Sequence, residues 1–154
     1  MKIRKYHPGD WRKVADLFHG AVHTICAADY NEAQLNAWAP DGMNLPELEN
    51  RLAVNYTVVA ENDGIVVGFG NTDGQGYFDC LYTHKDYQRI GVATSIADDI
   101  EKRLSDKGEL VVITDASITA KPFFEKRRYI VLEKKVVECR GQYFINFTMQ
   151  KALK

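Results

Sequence analysis

The feature that most constrains the fold is a change in hydrophobic period near residue 56. From there to residue 83 the pattern has a period of two in three short segments, YTVVAE, IVVGFG and YFDCLYT. These segments are separated by NDG at positions 62–64 and DG at positions 73–74, which are typical of tight hairpin turns. The pattern therefore predicts three consecutive hairpin-linked strands that form an antiparallel meander.

Helical periodicity dominates the residues before the meander. A short alternating strand, KIRKY, precedes HPGDWRKVADLFHGAVHTIC, in which residues 8–10 mark the start of an amphipathic helix. Its apolar stripe consists of Trp11, Val14, Ala15, Phe18, Val22 and Ile25. The next segment, ADYNEAQLNAWAPDGMNLPELENRL, predicts two shorter helices broken at residues 40–42. Together these two helices would form a helical flap.

The chain after the meander alternates between helix and strand. Apolar residues spaced four apart from Val92 to Leu104 predict a helix that Gly108 closes. The apolar run LVVIT then predicts a central strand buried on both faces. SITAKPFFEKRRY predicts a short helix, and strand patterns over 130–138 and 142–149 flank Arg140-Gly141.

Composition limits the classes of protein that remain. The chain has 154 residues with 45% hydrophobic residues, which predicts one soluble domain over residues 1–154. A net charge of -1 gives no reason to expect binding to nucleic acid or to an anionic membrane. Three widely spaced cysteines, a charged start and the lack of a long apolar run predict reduced thiols and a cytoplasmic protein without a membrane span.

The segment QRIGVATS lies where a strand passes into a helix. The first N–H groups of a helix have no partner inside it, and a turn with small side chains lets a phosphate group approach them. Taken alone, such a glycine more often serves only the backbone conformation of the turn.

The glycine-turn motif and the order of helices and strands together resemble those of a known family. DCLYTHKDYQRIGVATSI resembles the pyrophosphate-loop motif Q/R-x-x-G-x-G/A of GCN5-related N-acetyltransferases (GNATs), with Gln88, Gly91 and Ala93 at its defining positions. SITAKPFFEKRRY is similar to the later A-x-x-F-Y-E-K-x-G-F segment of that family. The resemblance implies a single α/β (α+β) domain whose central mixed, mostly antiparallel sheet has about six to seven strands with helices on both faces.

The same resemblance implies a cofactor and its contacts. Acetyl-CoA would be the acetyl donor and CoA the product. The pantetheine would lie along the backbone of Leu81, Tyr82 and Thr83, as another strand would. The pyrophosphate would be held by the amides of the loop and first helical turn, which are those of Gln88, Arg89, Ile90, Gly91, Val92, Ala93 and Thr94.

Two residues depart from the family pattern. Phe124 stands where relatives carry the Tyr that protonates the departing thiolate, so this residue would contact the cofactor without acting as an acid. Arg128 stands where relatives carry Gly. Tyr82 and Tyr129 are the candidate replacements for the missing acid, and core packing with a satisfied hydroxyl is the alternative role for both.

Acetyl transfer to an amine also requires a base. Strict alternation would place Tyr77, Asp79, Leu81 and Thr83 on one side of their strand, which makes Asp79 the candidate base, acting directly or through water. Alternatively, and equally well, Asp79 ends a hydrogen-bond network or faces solvent. Cys80 would then lie on the opposite face as a packing residue.

Several other side chains have two alternative roles. Asp115 and Ser117 would follow the central strand near a ligand crevice, although a helix N-cap suits Ser117 better. Tyr30 and Trp38 would form either an aromatic wall for the acceptor or part of a small core. His19, His23 and Cys26 share one helix flank, but they form a poor zinc set, so no metal site is predicted.

The function predicted from these observations is acetyl-CoA-dependent transfer of an acetyl group to a primary amine of a small molecule or a peptide. The alternative is a catalytically weak module that senses acetyl-CoA or CoA, for which Phe124 is the main support. A P-loop nucleotide-binding domain is excluded, because the chain lacks G-x-x-x-x-G-K-[ST]. A monomer and a homodimer are both compatible with the sequence.

Overall fold

A computed structural model describes residues 1–42 and 44–153. The elements, in chain order, are β1 (Lys2–Lys5), α1 (Trp11–Thr24), α2 (Glu32–Trp38), α3 (Pro46–Val54), β2 (Tyr56–Asn62), β3 (Ile65–Thr72), β4 (Tyr77–Thr83), α4 (Val92–Asp106), β5 (Val111–Ser117), α5 (Lys121–Lys126), β6 (Ile130–Cys139) and β7 (Gln142–Ala152). Short 3-10 turns at Pro8–Asp10 and Cys26–Ala28 flank α1. Residue 43, inside the predicted flap, lies outside the described residues.

The strands form one seven-stranded sheet in the order β1-β2-β3-β4-β5-β7-β6. Strands β4 and β5 are parallel, and the other neighbouring strands of the described chain pair antiparallel. The predicted meander is β2-β3-β4, and the predicted mixed, mostly antiparallel sheet with helices on both faces is confirmed.

Each face of the sheet has its own core. Helices α1, α2 and α3 cover the face that carries Phe69, Cys80 and Phe144. Helix α4 covers the other face, together with α5, over Phe78 and Met149. We call these the α1 face and the α4 face.

Two glycines bring α4 close to the sheet. A Cβ atom on Gly68 would lie 2.5 Å from the Val92 side chain, and one on Gly70 would lie 2.7 Å from the Ile96 side chain. Real side chains do not approach so closely, so β3 needs glycine at both positions for α4 to pack on its backbone. This close packing sets the N-terminus of α4 beside the end of β4.

The central strand is longer than the sequence predicts. Strand β5 continues to Ser117, so Asp115 and Ser117 lie within it rather than after it. The N-cap of α5 is Ala120 and not Ser117. The Ser117 hydroxyl instead accepts the Ala120 amide at 3.0 Å and so orders the turn before α5.

Within the described ranges, no helix is both long and apolar enough to cross a membrane. All three cysteines are free thiols, as their spacing predicts.

Candidate active site

A gap opens between the two parallel strands at the centre of the sheet. Strands β4 and β5 pair only at Tyr77 with Ile113 and Phe78 with Thr114, although both strands continue beyond these pairs. At the same point the register of β4 with β3 shifts, so β4 contains a bulge around Asp79. Because a bulge bends its strand, it turns the end of β4 away from β5.

A cavity of about 410 Å³ occupies this gap. On the α4 face it is lined by Gln88, Ala93, Phe123 and Phe124. On the α1 face it is lined by Tyr30, Trp38, Phe144 and Asn146. One cavity therefore connects the two faces through the sheet.

The backbone of β4 contributes polar groups to the gap. The His84 amide donates to the Val67 carbonyl at 2.8 Å, and Tyr82 lies opposite Phe69 in the ladder. Since alternate residues of an antiparallel strand bond the same neighbour, the N–H and C=O groups of Leu81 and Thr83 point away from β3. They face the gap, where no strand pairs with them in the described structure.

The loop after β4 ends in a bare helix N-terminus. Gly91 is the N-cap of α4 with a φ of 88°, a left-handed conformation that favours glycine. The first i to i−4 hydrogen bond of the helix runs from the Ser95 amide to the Gly91 carbonyl, so the amides of residues 92–94 precede the ladder. Gln88 braces the loop by donating to the carbonyls of Thr83 and His84 at 3.0 and 3.1 Å.

Asp79 lies in the bulge and is held from two sides. Arg51 of α3 donates to its Oδ2 atom at 3.0 Å, and Asn71 of β3 donates to the same atom at 3.2 Å. The Asn71 side chain, which is fully buried, also accepts the Cys80 amide at 2.8 Å. Asn71 thus ties both residues of the bulge to β3, and Asp79 lines the cavity.

Comparison with known proteins agrees with this architecture. A family model described as an acetyltransferase (GNAT) domain matches residues 26–152. The chain belongs to the GNAT family of acetyltransferases. An uncharacterized N-acetyltransferase of Escherichia coli (strain K12), YafP, is 35% identical over 150 residues, which cover 97% of this chain and 95% of the relative.

Solved structures of GNAT proteins have the same fold. A GCN5-related N-acetyltransferase from Rhodopseudomonas palustris superposes with a TM-score of 0.94 at 34% identity, over 98% of this chain and 94% of that one. The PaiA N-acetyltransferase of Thermoplasma acidophilum, solved in complex with coenzyme A, superposes with a TM-score of 0.75 at 18% identity, over 98% of both chains. The chain is therefore an enzyme of the acetyltransferase class.

The bulge corrects one inference from the sequence. Strict alternation puts Asp79 and Leu81 on one side of β4 and Cys80 on the other, but Asp79 and Cys80 both contact Arg51 on the α1 face. Leu81 packs on the α4 face instead. Alternation fails here because the bulge inserts one residue into β4 without a counterpart in β3.

The two buried cysteines on the cavity are poor nucleophiles. Burial raises the pKa of the Cys80 thiol to about 12 and that of the Cys26 thiol to about 11. Both residues therefore remain protonated near neutral pH and act as packing residues of this GNAT domain.

Asp115 forms a second polar cluster on the α1 face of the gap. It accepts hydrogen bonds from Tyr77 at 2.8 Å and Thr148 at 2.7 Å, and it pairs with Lys135 at 3.0 Å. Burial works to raise the pKa of Asp115, but these three partners outweigh it and hold the pKa below its ordinary value. Asp115 is thus a carboxylate on the cavity wall.

Of the two candidate acids, Tyr82 lines the cavity and Tyr129 does not. The Tyr82 hydroxyl accepts the Trp38 Nε1–H at 3.1 Å, and burial raises its pKa well above the ordinary value. The Tyr129 hydroxyl instead donates to Glu101 at 2.9 Å, behind α5 and outside the cavity lining. Of the two, Tyr82 alone is in a position to meet a ligand in the gap.

Helix α5 and the turn after it carry the two departures from the GNAT pattern. Phe124 is 3% exposed, has its ring 5.7 Å from that of Phe78 and 4.9 Å from that of Tyr129, and also lines the cavity. Arg128 follows α5 with a φ of 72°. The backbone there is left-handed, which is the conformation that the glycine of the family motif supplies without strain.

The two histidines of α1 bond residues that follow α2 and not Cys26. His19 bonds Asp41 at 2.8 Å, and His23 bonds the Ala39 carbonyl at 2.7 Å, with the two rings stacked at 4.1 Å. The described part of the chain contains no group of three side chains arranged to hold a metal ion. These histidines instead attach α1 to the segment that follows α2.

Phe144 is a cavity residue that sequence reasoning did not single out. It lies 5.7 Å from the Tyr30 ring and 5.9 Å from the Trp38 ring, measured between centroids. Alternation in β7 indicates that Phe144 and Asn146 share a face, but nothing local in the sequence shows which face borders the gap. That information comes from the pairing of β7 with β5.

Proposed function

We propose that this enzyme transfers an acetyl group from acetyl-CoA to a primary amine of a small molecule or a peptide, by direct attack of the amine on the thioester. The observation that carries the proposal is the single cavity through the sheet. It begins beside the bare N-terminus of α4 and ends among side chains on the α1 face. A donor and an acceptor can therefore meet in the gap from opposite sides.

The donor set on the α4 face fits the pyrophosphate of CoA. Amides of residues 92–94 point out of the positive end of a fifteen-residue helix. Nothing lies within 4 Å of the position where a Gly91 side chain would begin, so a phosphate can reach the loop. The pyrophosphate contacts of the loop, Gln88 to Thr94, are proposed on this basis.

The gap itself fits the pantetheine arm. The outward carbonyl of Leu81 and the outward amide of Thr83 would bond it in the manner of an adjacent strand. Phe124 and Phe123 would provide the apolar wall beside its end. Acetyl-CoA, when bound, supplies the acetyl group on a thioester.

Asp79 is the proposed base. Asp79 lines the cavity, and its carboxylate would take a proton from the amine directly or through one water. Arg51 and Asn71 fix its orientation, and the Leu81 amide, which points away from β3, would donate to the acetyl oxygen. Neither Arg51 nor Asn71 needs to touch the substrate for this role.

Tyr82 is the proposed source of the proton for the thiolate. Its raised pKa keeps the hydroxyl protonated, and because that oxygen accepts the Trp38 N–H, its own hydrogen is free to point elsewhere. If Tyr82 does not act, the thiolate takes its proton from water, which a thiol with an ordinary pKa of about 8.5 permits.

Release of free thiol from acetyl-CoA over a panel of amines, polyamines, amino acids, aminoglycosides and peptides tests the proposal. Turnover with an amine that depends on Asp79 supports it. Acetyl-CoA binding without turnover on any acceptor would favour a sensor module instead. A cytoplasmic location and a monomeric or homodimeric state are proposed with the function, and cell fractionation and sedimentation test them.

A further inference from the structure

The α1-face half of the cavity has an aromatic wall. We define this wall as Tyr30, Trp38 and Phe144, which come from the segment before α2, from α2 itself and from β7. Their ring centroids lie 5.3 to 5.9 Å apart, and each ring contacts the other two. Three elements distant in sequence thus present one apolar surface to whatever enters from this side.

The two polar atoms of the wall each make a hydrogen bond within the protein, and the Tyr30 hydroxyl keeps its own hydrogen to donate. Trp38 donates its Nε1–H to the Tyr82 hydroxyl at 3.1 Å. The Tyr30 hydroxyl accepts the Ile118 amide at 2.9 Å. With these bonds made, the wall offers ring faces and edges more than hydrogen-bonding groups, which favours a flat apolar body over a polar one.

Charge on the cavity is balanced. Among its described lining residues, Asp79 and Asp115 are the only carboxylates, and none is a lysine or arginine. Arg51 pairs with Asp79 and Lys135 pairs with Asp115, each at 3.0 Å from behind the lining. A ligand with several ammonium groups would need uncompensated carboxylates, and here each carboxylate already has its cation.

We infer that the acceptor is a monoamine carried on a flat apolar body, such as an arylalkylamine, and not a polyamine or a multiply charged amino sugar. The inference rests on the proposed function, because it uses the same cavity. The apolar body lies against the aromatic wall, and the single amine points to the gap beside Asp79.

Steady-state kinetics with phenethylamine, ethylamine, spermidine and kanamycin test the choice of acceptor. We expect kcat/KM for phenethylamine to exceed that for each of the other three by about tenfold or more, since only phenethylamine covers the wall. Phe144→Leu keeps an apolar side chain but removes the flat ring. It should raise KM for phenethylamine about tenfold with kcat nearly unchanged.

The chain offers a matched control for Phe144→Leu. Tyr143 precedes Phe144 in β7 and points to the opposite face, where it is 65% exposed. Tyr143→Leu should leave both KM and kcat unchanged. A rise in KM in this control equal to that of Phe144→Leu would mean that β7, and not the wall, is responsible.

Calorimetry of phenethylamine with the CoA-saturated protein separates this inference from the proposed function. Binding that weakens in Phe144→Leu, without turnover of any amine, keeps the acceptor inference and removes the proposed reaction. Turnover of spermidine or kanamycin at least equal to that of phenethylamine overturns the acceptor inference and keeps the reaction. Absence of phenethylamine binding also overturns the inference. If Phe144→Leu fails to fold, the order of kcat/KM for the four amines with the wild type still decides the acceptor inference.

Discussion

The two mouths of the cavity are built from different parts of the chain. On the α4 face the donors are backbone amides at the start of one helix and along one strand. On the α1 face the lining groups are side chains from α2, β4, β5 and β7, and Arg51 of α3 bonds Asp79 without lining the cavity itself. A backbone-built mouth depends on local conformation and tolerates many sequences, whereas a side-chain-built mouth can change its ligand without changing the fold.

The largest effect is expected where the backbone-built mouth is blocked. Gly91→Glu puts a side chain with a negative charge at the N-terminus of α4, in a residue with left-handed backbone. We expect acetyl-CoA binding measured by calorimetry to be lost, by about a hundredfold or more in affinity. The far-ultraviolet circular dichroism should stay that of a folded chain.

Gly91→Asn is the matched control for this change. Asparagine accepts the left-handed conformation better than other residues with a side chain and adds no charge. It should retain most of the affinity. Normal acetyl-CoA binding by Gly91→Glu would mean that the loop is not the cofactor site, and the backbone-built mouth would have to be sought elsewhere.

The backbone-built mouth could be predicted from the sequence because its cause is local. Gly91 follows a strand pattern and precedes a helical one, so its position alone indicates a turn with exposed amides. The close packing of α4 on Gly68 and Gly70 was not predicted, because IVVGFG indicates a strand but does not show that a helix approaches its glycines.

The side-chain-built mouth could be predicted only in part. Tyr30, Trp38 and Asp79 are recognisable by residue type, but their arrangement depends on contacts far apart in sequence. The bulge at Asp79 reverses the side on which Leu81 lies, and periodicity cannot show a bulge before the pairing is known. Arg51 reaches Asp79 from 28 residues away, and no local pattern predicts that pair.

A second prediction addresses the side-chain-built mouth. Asp79→Asn removes the proposed base and leaves a side chain of nearly the same shape in the bulge. Turnover should fall by about a hundredfold, most strongly at low pH, where more of the amine is protonated and needs a base. The affinity for acetyl-CoA, measured by calorimetry, should stay nearly unchanged.

Asp115→Asn is the control, because Asp115 also lines the cavity but lies on β5 with its own cation. Its effect on turnover should be much smaller. A pH–rate profile of Asp79→Asn that matches the wild type would exclude Asp79 as the base. The two mouths would then not differ as proposed.

A third prediction concerns the support behind the α4 face. Glu101 of α4 is 8% exposed and accepts from Arg127 at 3.0 Å, Tyr129 at 2.9 Å and Lys151 at 2.6 Å. Burial works to raise its pKa, but these partners lower it below the ordinary 4.5. Glu101→Gln should lower the free energy of unfolding at neutral pH by about 2 kcal/mol, as measured with urea.

The pH dependence has a definite sign. A carboxyl group with a lowered pKa in the folded state stabilises it fully above 4.5, and this contribution disappears as the pH falls through the folded-state pKa. The variant should therefore lose less stability than the wild type between pH 5 and pH 3. Glu125→Gln, in the exposed pair with Lys121, is the control and should change stability by less than about 0.5 kcal/mol. Equal effects of both variants would contradict a buried network.

The smallest effect is expected at Phe124, which lines the cavity on the α4 face. Its ring packs against Phe78, Phe123 and Tyr129, yet it also borders the cavity, so one edge faces the gap. Phe124→Tyr adds one oxygen. If that edge carries the ring para position, the hydroxyl enters the cavity where relatives place their acid, and the cost of burial is small.

We therefore expect Phe124→Tyr to bind acetyl-CoA as the wild type does and to turn over at an equal or higher rate, by up to about tenfold. Tyr82→Phe is the paired variant: it should slow the wild type if Tyr82 supplies the proton, and it should slow Phe124→Tyr less, because the new hydroxyl takes over. A Phe124→Tyr protein that no longer folds or binds acetyl-CoA would show that the ring is enclosed in the α4-face core. In that case the hydroxyl would be buried without a partner, at a cost of about 1 to 3 kcal/mol, and residue 124 would have no part in either mouth.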